Sequence, residues 1–171
     1  VDLLVRQAEV AHGSHGHHGE RLVDLVEADL AGAPARLTQH LADGEDRRAA
    51  GPYALSVALA LSWSRHPRAL EFFRLAHADD FDERAHEWHA RASLWAGDWR
   101  EVAAATAAMP GDMRDQPRWR YWLARASEQL GDIAQARELY AAVVPTDNWY
   151  AAHAAARLDR NAYAVDQRVK M

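Results

Sequence analysis

Apolar residues recur with a helical period along most of the chain. Trp119, Trp122, Leu123, Ala126 and Leu130 fall at i, i+3, i+4, i+7 and i+11, a stripe that predicts a helix starting near Pro117. Proline is tolerated in a first turn because the N–H it lacks has no partner there. Gly131-Asp132 ends that helix: glycine adopts the left-handed conformation at little cost, and Asp132 is placed to cap the next helix. The partner helix carries Ile133, Ala136, Leu139, Tyr140 and Val143 on one face and stops before Pro145. A second hairpin is predicted over residues 83–109, with Trp88, Ala92 and Trp95 on its first helix. Gly97-Asp98 forms its turn, Val102, Ala105 and Met109 mark its second helix, and Pro110-Gly111 breaks it. A diverged third hairpin precedes it: Leu55, Ala58, Leu59 and Ser62 after a break at Gly51-Pro52, a His66-Pro67 turn, then Leu70, Phe73 and Ala76. Trp149 to Leu158 reads as a closing amphipathic helix.

Two of these segments are near copies. Trp88-His-Ala-Arg-Ala-Ser-Leu-Trp-Ala-Gly-Asp98 and Trp122-Leu-Ala-Arg-Ala-Ser-Glu-Gln-Leu-Gly-Asp132 are offset by 34 residues and agree at seven of eleven positions. A period near 34 is one helix-turn-helix unit of an α-solenoid, and such a unit cannot bury its apolar face without stacked neighbours. The expected fold is therefore all-α, a right-handed superhelix of stacked helical hairpins of tetratricopeptide-like type. Residues 1–50 are expected to form irregular helices near 2–11 and 20–31 around a His-rich loop, 51–158 the repeats and closing helix, and 159–171 a polar tail that frays. A chain beginning at Val1 with no leader reads as a processed protein or a piece of a longer one.

Composition agrees with this and narrows the function. The chain has 37 Ala against 15 Val, Ile and Thr together, which favours helix over strand. Its 25 acidic and 20 basic residues are interspersed and sum to −5, so there is no basic footprint for nucleic acid. Cysteine is absent, which removes disulfides, thiol nucleophiles and Cys-based zinc sites. The most apolar stretch, 53–63, is about half the ~20 residues a membrane span needs. It reads as a buried helix.

Four clusters have chemical interest. His12, His15, His17 and His18 have the donors for a metal, but the glycines and serines between them make a loop that loses much entropy on assembling a site, so a solvated linker is expected and no metal or cofactor is assigned. Trp88, Trp119 and Trp122 sit on helical stripes and read as core, whereas Trp99 and Trp149 are less constrained. The acidic residues Asp79, Asp80, Asp82 and Glu83 read as a loop that caps the following helix. Arginine recurs at 91 and 125, where packing does not require it. Arg118, Tyr121, Arg125 and Glu128 share one stripe, and Arg84 and Arg91 hold the matching offsets one repeat earlier. Stacked, these stripes form a candidate groove whose guanidiniums take carboxylates; the competing reading is ion pairing along the helix surface, as between Glu87 and Arg91. No phosphate loop, His-Glu zinc motif or serine elbow is present, and the chain reads as non-catalytic.

The order of motifs carries a resemblance. Gln116-Pro-Arg-Trp-Arg-Tyr-Trp-Leu-Ala-Arg-Ala-Ser-Glu-Gln-Leu-Gly-Asp132, Ala136-Arg-Glu-Leu-Tyr140, Trp149-Tyr150 and Ala155-Ala-Arg-Leu158 resemble, in order and spacing, the α-superhelical region of the soluble lytic murein transglycosylases. The likeness covers residues 84–158. Residues 151–154 read Ala-Ala-His-Ala where the family has Gly-Phe-Leu-Ala, and the family's catalytic Glu-Ser, Gly-Leu-Met-Gln and Tyr-Asn-x-Gly segments do not occur. The resemblance implies a periplasmic, non-catalytic scaffold whose partners are the catalytic domain of the same polypeptide and peptidoglycan glycan strands. The parent enzyme would cleave the MurNAc–GlcNAc bond to leave 1,6-anhydro ends. The alternative is a tetratricopeptide-like adaptor that binds a peptide. That pattern shares the small residue at Ala90 and Ala124 and the alanine at Ala136, but does not place tryptophan where Trp88 and Trp122 stand.

Overall fold

The computed structural model describes the backbone of residues 47–169 and the side chains of 51–159. Among the described residues there are eight α-helices, one short 3-10 helix and no strand, so the fold is all-α. The helices of the first fifty residues and the histidine loop fall, up to residue 46, outside the described residues. Two compact units divide the chain between Ala96 and Gly97.

The first unit contains α1 (Arg47–Trp63), α2 (Ala69–Leu75), the 3-10 helix (Ala78–Asp80) and α3 (Glu83–Ala96). The break expected at Gly51-Pro52 does not occur, because α1 starts at Arg47 and runs through both residues. Pro52, the sixth residue of the helix, costs it the one ladder bond to the carbonyl four residues back. Gly51 serves a close approach instead: a Cβ there would lie 2.9 Å from Asp80 Oδ2 and 3.2 Å from the His77 backbone nitrogen. Val57, Ala58 and Leu61 of α1 meet Ala69, Phe72 and Phe73 of α2 and Ala92 of α3 in one core, with Phe81 and Trp88 packed at its edge. Asp82 caps α3 by accepting from the Ala85 N–H at 2.7 Å, the capping role expected of the acidic run.

The second unit contains α4 (Trp99–Ala107), the single turn α5 (Gly111–Arg114), α6 (Pro117–Gln129), α7 (Ile133–Val143) and α8 (Trp149–Val169). Both helices expected over 83–109 form: α3, in the first unit, packs on α1 and α2, and α4, in the second, buries Val102, Ala105 and Thr106 and packs on α6. The hairpin of α6 and α7 forms as expected. Its core joins Tyr121, Ala124, Ala136, Tyr140, Val143 and Ala154, with Trp122, Leu139, Tyr150 and Leu158 at the margin. Leu130, expected on the apolar stripe, is exposed because it is the residue that ends α6. Trp95 is likewise exposed in the last turn of α3. The closing helix does not stop at Leu158 but continues to Val169, through most of the tail expected to fray.

The sequence repeat is a repeat of local structure. Gly97 and Gly131 have φ of +67° and +88°, and Asp98 and Asp132 accept from Glu101 and Gln135 N–H at 3.1 and 3.0 Å. Ala90 and Ala124 are fully buried, as is Ala126, and Ala92 nearly so. Ser93 and Ser127 are buried too, and each donates its hydroxyl to the carbonyl one turn back, at 2.8 and 3.0 Å. That bond satisfies a polar group among apolar neighbours.

Nothing stands within 4 Å of a Cβ built on Gly131, so Gly131→Ala tests backbone conformation alone. It is expected to destabilise the second unit by about 1–2 kcal/mol in urea titration. Gly51→Ala is expected to destabilise the first unit through the clash with the 3-10 helix.

Candidate functional site

Arg125 and Glu128 lie one turn apart on α6, at side-chain exposures of 14% and 12%, and form an ion pair. One carboxylate oxygen, Glu128 Oε2, gathers three donors: Arg125 Nη1, Tyr140 Oη from α7 at 2.9 Å, and Arg157 Nη1 from α8 at 3.5 Å. The network ties all three helices of this layer at one point. Trp99 of α4 adds a fourth element, its ring lying under the Arg125 guanidinium with Cζ 5.5 Å from the centroid.

The network's protonation states follow from these contacts. Burial works to raise the Glu128 pKa, but the hydrogen bonds from Tyr140 and Arg125 and the charges of Arg157 and Arg125 outweigh it, leaving it below the ordinary glutamate range. Burial likewise opposes the charge on Arg125, and its contacts with Glu128 and Tyr140 reverse that, so its pKa is raised. Tyr140 is raised by burial first and by its bond to the Glu128 carboxylate second. The site is a fixed carboxylate between fixed cations, with a phenol that stays protonated. A general acid needs the opposite tuning.

Tyr121 takes no part in this network. It points into the core of the second unit, where its ring meets those of Trp122, Tyr140 and Tyr150 at 5.4, 5.8 and 5.4 Å. Arg118 lies with Cζ 4.7 Å over the Trp119 ring. Arg84 and Arg91 belong to the first unit. Arg91 pairs with Glu87 one turn back and lies over Trp88, while Arg84 is exposed and lies over Trp63. Of the six candidate residues, the structure therefore joins Arg125 and Glu128 directly. Tyr140 and Arg157 complete that site and escape a reading of helix stripes, because they come from α7 and α8. Their only signal is the Ala-x-x-x-Tyr and Arg-Leu spacing noted above.

The four histidines of the N-terminal loop lie outside the described residues, and among the described residues no three His, Asp or Glu side chains are grouped closely enough to hold a metal ion. His86 is buried against Phe81 at 5.3 Å, and desolvation lowers its pKa against the opposing charge of Asp82. No helix of the described residues is long and apolar enough to cross a membrane. No known family model matches the chain, and no curated protein matches it either.

Removing one partner of a largely buried pair strands the other, so Glu128→Ala is expected to cost about 3 kcal/mol, and Tyr140→Phe, which deletes one bond to a charged group, about 2 kcal/mol. Because the Glu128 pKa is lower folded than unfolded, its contribution is present above the ordinary glutamate range and is lost as pH falls through its folded value. Urea midpoints of the wild type are therefore expected to drop on acidification more steeply than those of Glu128→Gln. Parallel pH curves would assign the acid sensitivity elsewhere.

Proposed function

We propose that this chain is the non-catalytic, right-handed superhelical scaffold segment of a periplasmic peptidoglycan lytic transglycosylase. The observation that carries the reading is the convergence of the motif series within the second unit. Tyr121, Trp122, Arg125, Tyr140, Tyr150, Arg157 and Leu158, the residues whose order produces the resemblance, are the ones that meet in one core and one ion network. A motif series whose members build one packed layer behaves as a structural signature. The same network gives Glu128 a structural role: its carboxylate is taken up by three internal donors and held ionised. In this role the helical layer holds a catalytic domain and offers a surface to glycan strands.

The direct test is to incubate the purified chain with insoluble peptidoglycan sacculi. It is expected to sediment with them and to release no 1,6-anhydro-muropeptides. Release of anhydro products would overturn the non-catalytic reading. Failure to sediment, together with tight binding of a peptide, would favour the adaptor.

A further inference from the structure

The first unit carries a row of three tryptophans, in which Trp88 packs at the edge of the core and its two neighbours stay exposed. Trp63 and Trp95 are 62% and 44% exposed, and both contact Trp88 between them, at ring-centroid distances of 5.3 and 6.1 Å. Guanidiniums lie on all three rings: Arg84 over Trp63 at 5.9 Å, Arg91 over Trp88 at 5.1 Å and Arg65 over Trp95 at 5.2 Å. Arg91 is neutralised by Glu87. Arg65 and Arg84, beside the two outer indoles, have no acidic partner among the described residues. Among the described residues the ladder therefore has an uncompensated cation at each end, although the chain as a whole is acidic.

Arg65 adds an independent sign. It has φ +54°, the one non-glycine with positive φ among the described residues. Its N–H bonds to the Ser62 carbonyl at 3.1 Å and the next N–H to Leu61 at 2.9 Å, so it occupies the left-handed position after a helix that glycine fills at Gly97 and Gly131. A side chain there strains the backbone. What the side chain gains is its place over Trp95.

We propose that the Trp63–Trp88–Trp95 ladder binds a linear glycan bearing carboxylates, with sugar faces against the two exposed indoles and carboxylates on Arg65 and Arg84. Three indoles and their arginines are far fewer than the roughly 20–30 residues a side of a stable protein interface. A chain-like ligand suits the row. Guanidiniums held by ring stacking keep their N–H edges free for bidentate bonds to carboxylates. A nucleic-acid strand would also stack, but it needs a basic track along its phosphates, and the balance of charge in this chain gives none. The identity of the glycan as peptidoglycan rests on the scaffold reading above; the ladder's chemistry does not.

The experiment titrates the full chain, by tryptophan fluorescence, with soluble peptide-free peptidoglycan strands, neutral chitin oligosaccharides, oligogalacturonate and an oligoglutamate peptide. Carboxylated strands are expected to bind at least tenfold tighter than chitin oligosaccharides. Arg65→Gly is expected to weaken that binding several-fold while leaving the melting temperature equal or higher, which a merely structural arginine would not do. Arg84→Gln is expected to weaken it similarly. Binding of oligogalacturonate without peptidoglycan strands would uphold the ladder and overturn the scaffold reading. Equal affinity for charged and neutral sugars, tighter binding of oligoglutamate, or an unchanged affinity in Arg65→Gly would overturn the ladder.

Discussion

Small buried side chains on repeated helix faces are the constraint from which the rest of the structure follows. Ala90, Ala92 and Ser93 on α3, and Ala124, Ala126 and Ser127 on α6, bury almost no volume themselves. They bring helix backbones close, and the larger groups then fill the remaining space: Phe72 and Phe73 in the first unit, Tyr121, Tyr140 and Val143 in the second. A larger side chain at these alanines would overpack the site and force neighbours off their rotamers. The serines fit the same face because their hydroxyls find acceptors: Ser93 on its own helix, and Ser127 on its own helix and at Gln135 Oε1 of α7.

Identical sequence at Arg91 and Arg125 nevertheless gives different environments. Arg91 finds Glu87 on its own helix and stays half-exposed over Trp88. Arg125 has Tyr121 one turn back instead, and its acid lies ahead at Glu128, beneath Tyr140 and Arg157. One repeat thus turns its arginine into internal structure. The other leaves it on an aromatic surface. The divergence between the copies, more than their identity, decides which arginine is drawn into a buried network and which stays half-exposed.

Much of the fold was legible because it is written in local chemistry. Gly131 and Asp132 specify a helix end and a cap from adjacent residues alone, and the α6–α7 hairpin follows from periodicity. What depends on distant residues was hidden. Gly51 looks like a break, and only the approach of Asp80 shows it to be a packing site. Gly97 and Asp98 give the turn and the cap, but not that α4 packs on α6. At the candidate site the stripe pattern found Arg125 and Glu128 but placed Tyr121 beside them, since a helical wheel does not say which of two adjacent faces receives a neighbour. Trp63 and Trp95 look like parts of apolar helices, because tryptophan in a helical stripe has the same appearance whether a neighbour covers it or not.

Whether the tryptophan ladder of the first unit is the proposed ligand surface can be read from the indole N–H signals of the protein's seven tryptophans. Resolved by nuclear magnetic resonance and followed as peptide-free peptidoglycan strands are added, the signals of Trp63, Trp88 and Trp95 should shift together, and those of Trp119 and Trp122 should stay in place. Shifts confined to Trp119 and Trp122, or none at saturating strand concentration, would contradict the account.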